Sequence, residues 1–113
     1  MKVIEHLNIV YRIGANAQDN FDIIDQSNPQ DIWFHVEGRP SCHVIASVPD
    51  NMTMTMTKKE KHKLIKKGAE LCKIHSKYKS EKNLKIIYTK VENITKTETL
   101  GSVLLSNEKI IEI

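Results

Sequence analysis

DIWFHVEGRPSCHV, residues 31–44, carries the pattern of a strand, a turn and a second strand. Its first seven residues alternate: Ile32, Phe34 and Val36 point one way, and Asp31, Trp33, His35 and Glu37 the other. That period of two is the mark of a half-buried strand. Gly38-Arg39-Pro40-Ser41 carries turn chemistry. His43 to Val48 then predicts a second strand, with Cys42, Val44, Ala46 and Val48 as its core face. His35 and His43 share parity, so a connection with an odd number of residues brings both onto one face. The stretch also holds the only tryptophan of the chain, one of its two arginines and one of its two cysteines, so the search for a site starts here.

Working outward, Val3 to Ile13 mixes β-branched and polar residues up to Gly14 and predicts a strand. A turn then runs into a short helix around Gln18 to Ile24, capped by Asn16 or Asp19 and closed before Pro29. Met52 to Thr57 alternates as an extended connector. Thr57-Lys58-Lys59-Glu60 fits a capping box and opens the dominant helix, from about Lys58 to Tyr78. Leu64, Ile65, Gly68, Ala69, Leu71, Cys72, His75 and Tyr78 share one broad face of it; Lys59, Lys63, Lys66, Lys73 and Lys77 share the opposite one. Three further strands follow: Leu84 to Lys90, Gly101 to Leu105 and Lys109 to Ile113, the last two joined by a turn at Ser106-Asn107-Glu108. The expected fold class is α+β, an antiparallel sheet with one long amphipathic helix packed on it and a short helix after the first strand.

At 113 residues the chain is expected to form one domain, residues 1–113, with 40% apolar and 27% charged residues, an ordinary globular balance. No apolar run reaches the roughly 18 to 20 residues that span a bilayer. The N-terminus has an acid and a histidine where a secretory signal needs apolar residues, so a cytoplasmic location and reduced cysteines are expected. The net charge of +3 is unevenly spread. Between Lys58 and Lys82, ten lysines face three glutamates, a local +7, and the rest of the chain sums to −4. A basic segment on an acidic domain points to a polyanionic partner, although a lysine-rich helix face is also the usual solvated surface.

The chemistry of the 31–44 stretch admits several readings. Cys42 and His43 are strand neighbours on opposite faces, so they cannot act together as nucleophile and base. Two histidines of common parity fall short of the three or four ligands of a zinc site, and no CxxC, HxxxH or HExxH spacing appears; neither a metal nor a cofactor is expected. No phosphate-binding or nucleophile-elbow motif is present, which leaves acid–base work by Asp31, His35 or Glu37 without a signature. A tryptophan and a histidine on the outer face of a sheet can stack a base, a following arginine can reach phosphate, and a lysine row adds attraction without sequence preference. The alternative is that a second layer covers that face and Trp33 is core.

With these residues in place, the chain resembles the NFACT-R domain, the RNA-binding domain of the NFACT proteins of ribosome quality control. The resemblance rests on Gly14, Asn16 and Asn20; on Asp31, Trp33, Phe34 and His35; and on Gly38, Arg39, Pro40, His43 and Val44. It continues through Ala69, Ser76, Tyr88, Thr89, Asn93, Lys96, Gly101 and Val103, nearly the whole chain. Ala15 stands where the family usually carries arginine, which removes one phosphate contact. The sequence shows no large N-terminal domain, helix–hairpin–helix or coiled coil of full-length NFACT proteins, so tRNA-dependent tailing is not expected of it. The resemblance implies a minimal, non-enzymatic domain for RNA, either tRNA or ribosomal RNA, acting alone or beside the ribosome or a separately encoded protein. The expected binding residues are Asn16, Asn20, Trp33, His35, Arg39, His43, Lys63, Lys66 and Lys96, with Asn16 and Asn20 holding their loop by local hydrogen bonds or touching the ligand. The alternatives are a protein–protein adaptor using the same face and, more remotely, a small hydrolase using His35 and His43.

Overall fold

The computed structural model describes residues 1–49 and 55–113. Six strands form one antiparallel sheet in the order β1-β2-β4-β3-β5-β8. These are β1 (Lys2–His6), β2 (Ile9–Ile13), β3 (Ile32–Val36), β4 (Val44–Ser47), β5 (Lys85–Lys90) and β8 (Lys109–Glu112). A separate two-stranded hairpin pairs β6 (Ile94–Lys96) with β7 (Val103–Leu105). Two α-helices complete the fold, α1 (Ala17–Asp25) and α2 (Lys58–Ile74).

The alternation of 31–44 places β3 at the centre of the sheet, between β4 and β5. Phe34 sits opposite Val44 on one side and Tyr88 on the other. Ile32, Phe34 and Val36 join Val44, Ala46 and Val48 in the main core, against Leu64, Ile65, Ala69, Leu71 and Cys72 of α2. A Cβ built on Gly68 would lie 2.3 Å from Phe34 Cζ, so the glycine lets the helix sit directly on that ring. The capping box forms as expected: Glu60 N–H donates to Thr57 Oγ1 at 3.1 Å, and Glu60 Oε1 accepts from Thr57 N–H. The helix ends at Ile74 rather than Tyr78, with His75 as its C-cap.

The first expected strand, Val3 to Ile13, is instead a hairpin of β1 and β2. Leu7 and Asn8 take φ of 51° and 66°, the left-handed pair whose twist suits a two-residue hairpin turn. The first half of the expected connector Met52 to Thr57, residues 52–54, lies outside the described residues. The turn at Ser106–Glu108 does not join paired strands: β7 pairs with β6, and β8 crosses to the sheet edge beside β5.

The opposite face of the sheet is covered too. Ile23, Trp33 and Ile45 form a second core under α1 and the β6–β7 hairpin, with Ile24, Ile94, Val103 and Leu105 packed against them. The molecule therefore has three layers, α2 on one side and α1 with the small hairpin on the other. Among the described residues no helix is long and apolar enough to cross a membrane.

Candidate nucleic-acid interface

The loop before α1 is built around Gly14. Its N–H donates to the His43 carbonyl at 3.0 Å, while the Asn20 side-chain oxygen accepts the His43 N–H at 3.1 Å. A Cβ on residue 14 would stand 2.1 Å from that Asn20 oxygen, so glycine is required for the approach. Asn16 caps α1 by accepting the Asp19 N–H at 2.8 Å. The Asp19 carboxylate accepts the Ala15 N–H at 3.1 Å and pairs with the Met1 ammonium at 2.8 Å. The ammonium, followed by the Ala15 N–H, holds its pKa below the ordinary value. Asn16 and Asn20 thus work through local hydrogen bonds, tying the 14–16 loop to α1 and to His43.

His35 and His43 do share a face; the connection between β3 and β4, 37–43, is seven residues long and ends on His43. Their rings meet edge to face at 5.2 Å. Trp33 stacks on His35 with centroids 5.6 Å apart and planes 2° from parallel, and His43 stands edge-on to Trp33 at 5.1 Å. Burial lowers the pKa of both imidazoles. For His43, burial and then the neighbouring His35 push it down to about 3, so the ring is neutral at physiological pH. The lowering at His35 is partly opposed by a backbone bond at Val36. Neither ring has a carboxylate partner among the described residues, and His43 Nδ1 is buried without a hydrogen-bond partner.

Trp33 is the main correction to the expected site. It is only 2% exposed, because α1 and the β6–β7 hairpin cover the sheet face that the alternation left open. The indole has no free face for a base and packs against the His35 ring. Arg39 is exposed but engaged: its guanidinium makes a two-pronged bond to Glu81, with Nη2 to Oε1 at 2.9 Å, and lies 4.6 Å over the Tyr78 ring. Glu81 accordingly raises the Arg39 pKa, and Arg39 lowers that of Glu81.

These pieces surround an open cleft of about 1220 Å³. The 14–17 loop, the 38–42 turn, residues 75–77 after α2 and the 99–102 loop form its walls, with His35 and His43 inside. Lys2, Lys77 and Arg39 line it, and among the described residues neither lysine has an ion-pair partner. The sequence does not single out Lys2, while it places Lys77 only in the lysine row and His75 only on the packing face of the helix. His75 is the half-buried C-cap of α2, its Nδ1 2.9 Å from the Leu71 carbonyl. Besides Trp33, three expected residues lie outside the cleft. Lys63 and Lys66 are exposed on α2, nine to twelve residues before His75 and thus about 14 to 18 Å along the helix axis. Lys96 pairs with Asp25 and lies 5.0 Å over the Phe21 ring, outside the cleft lining.

Comparison with known proteins decides the family. Residues 3–109 match the NFACT protein RNA binding domain. The chain belongs to that family. The NFACT-R domain here is also 30% identical over 108 residues to coiled-coil domain-containing protein 25 of Danio rerio, covering 89% of this chain and 49% of the relative. It therefore spans about half the length of that relative. Its fold matches the C-terminal region of the fibronectin/fibrinogen-binding protein from Streptococcus suis, with a TM-score of 0.77, 19% identity and coverage of 93% of this chain and 41% of that one.

Several positions that carry the resemblance have structural work. The buried Asp31 carboxylate accepts the N–H groups of Asn28 at 2.9 Å and Val48 at 3.2 Å, fixing the start of β3 to the end of β4. Thr89 donates to the Ser106 carbonyl at 3.0 Å and accepts from Asn93 at 3.1 Å, anchoring the β7–β8 turn. Gly101, at φ +82°, packs so close to α1 that a Cβ would lie 2.9 Å from Ala17 Cβ.

Proposed function

We propose that this NFACT-R domain is a non-enzymatic binder of translation-associated RNA, either tRNA or ribosomal RNA, in the cytoplasmic context of ribosome quality control, and that the cleft is its RNA-contacting surface. The observation that carries the reading is the convergence of Lys2, Lys77 and Arg39 around a cleft in a chain of this family. Cations at the rim attract phosphate and release counterions. Among the described residues neither neutral imidazole has the carboxylate partner that orients a catalytic base, which favours binding over hydrolysis. Asn16 and Asn20 shape the cleft wall, and Trp33 fixes His35 from behind.

Filter binding to tRNA at several salt concentrations tests this, comparing Lys2→Gln plus Lys77→Gln with Lys63→Gln plus Lys66→Gln. The cleft pair is expected to weaken binding and to reduce the salt slope by roughly 0.7 to 0.9 per lost phosphate contact. A matching loss in the α2 pair shows that RNA also crosses the helix; an unchanged slope there marks a solvated face. No binding by the wild type below about 100 μM at low salt refutes the reading, because even non-specific binders reach that range.

A further inference from the structure

The cleft differs in character between rim and interior. At the rim, Lys2 and Lys77 supply charge with no ion-pair partner among the described residues, suited to phosphate. Deeper in the lining, the uncharged rings of His35 and His43 lie against Trp33 at defined angles, among neutral polar residues such as Asn16, Asn20 and Ser41. His43 is only 3% exposed, yet among the described residues its buried Nδ1 has no hydrogen-bond partner. A neutral imidazole presents one N–H donor and one bare nitrogen acceptor. That pairing suits the edge of a nucleobase, which also alternates donors and acceptors, and suits phosphate poorly. Leu100 lies in the same wall with its side chain half exposed, an apolar surface of the kind that packs on the face of a ring.

Geometry adds a constraint on the ligand. The phosphates of a duplex lie on its convex outside, and its base edges are reached through grooves. A concave site with imidazoles inside and lysines at the rim can hold a base only when that base is free of its partner. We propose that the cleft takes a single unpaired nucleotide, its base edge against His35 and His43, its face against Leu100 and its phosphate towards Lys2 and Lys77. This rests on the RNA-binding reading and specifies what part of the RNA the site accepts.

The test compares two RNAs on the full chain: a blunt hairpin of about twelve base pairs, and the same hairpin with about four unpaired nucleotides at its 3′ end. The tailed RNA should bind at least about tenfold tighter and, unlike the blunt one, change the emission of Trp33, the only tryptophan. His35→Phe keeps a ring on Trp33 and removes both nitrogens; it should abolish the preference for the tailed RNA. Leu100→Ser, at an exposed position that leaves the cores intact, should reduce the same preference and guards against misfolding of the His35 variant. Equal affinity for both RNAs overturns the proposal while leaving RNA binding standing, as does a preference that survives in both folded variants. Failure of either RNA to bind at low salt removes the underlying reading along with it.

Discussion

Acidification should destabilise this protein well above the pH at which carboxylates titrate, and His43 should be the main cause. Burial and the adjacent His35 hold the His43 pKa at about 3, against 6.5 for a free imidazole. The folded pKa is depressed, so the unfolded chain takes up the proton first. The associated stability is present above pH 6.5 and is lost progressively as pH falls towards the folded value. From pH 7 to pH 5 the folded ring stays neutral while the unfolded ring protonates, a loss of about 2 kcal/mol from this one residue. His35, also lowered by burial, adds in the same direction. Asp19 and Glu81 have pKa values below the ordinary carboxylate range, so their contribution falls away at still lower pH. Urea melts at pH 7, 6 and 5, followed by circular dichroism, measure the effect for the wild type and for His43→Gln. The variant should be less stable at pH 7 but should lose about 2 kcal/mol less than the wild type on going to pH 5. A wild-type stability flat across that window, or an equal slope in the variant, refutes the burial argument.

Other substitutions probe the packing and the cleft. Leu71→Ala should cost roughly 2 to 5 kcal/mol in denaturant melts, since Leu71 is only 4% exposed in the main core; a loss within error would contradict the packing of α2. Gly68→Ala should destabilise by about 1 to 3 kcal/mol despite the better helix propensity of alanine, because its methyl meets the Phe34 ring. Asp31→Ala strips the Asn28 N–H and the buried Val48 N–H of their acceptor and should cost roughly 1 to 3 kcal/mol, with neutral stability as the contrary result. Glu81→Gln releases the Arg39 guanidinium from its ion pair, so RNA binding should strengthen and its salt slope steepen by up to about 0.9. Unchanged binding in that variant would mean that Arg39 does not reach the ligand.

How much of this was legible in the sequence depends on whether a feature is local. The capping box at Thr57–Glu60, the core stripe of α2 and the alternation of β3 all follow from residues close in sequence, and they fix the α+β class. The β1–β2 hairpin was hidden because its turn uses Leu7-Asn8, without the glycine that usually supplies left-handed geometry. Parity told which face of β3 carries Trp33, but parity cannot tell whether another layer covers that face. The cover comes from Ile23 of α1 and from β6, a three-residue strand too short to register as a pattern. The cleft was the least visible part. Lys2, His35, His75, Lys77 and Leu100 come from distant segments, and only the tertiary fold brings them together. Lys63 and Lys66, by contrast, stood out by charge density alone and lie away from it.

The central claim, that RNA enters the cleft rather than spreading over the lysine face of α2, is tested most directly by titrating isotope-labelled protein with tRNA and following its backbone amide resonances. The account predicts the largest changes at Gly14, Ala15, Asn16, Gly38, Lys77 and Gly101, around the cleft, together with the Trp33 indole signal behind His35. Changes concentrated at Lys59, Lys63 and Lys66, with the cleft amides unmoved, would contradict it.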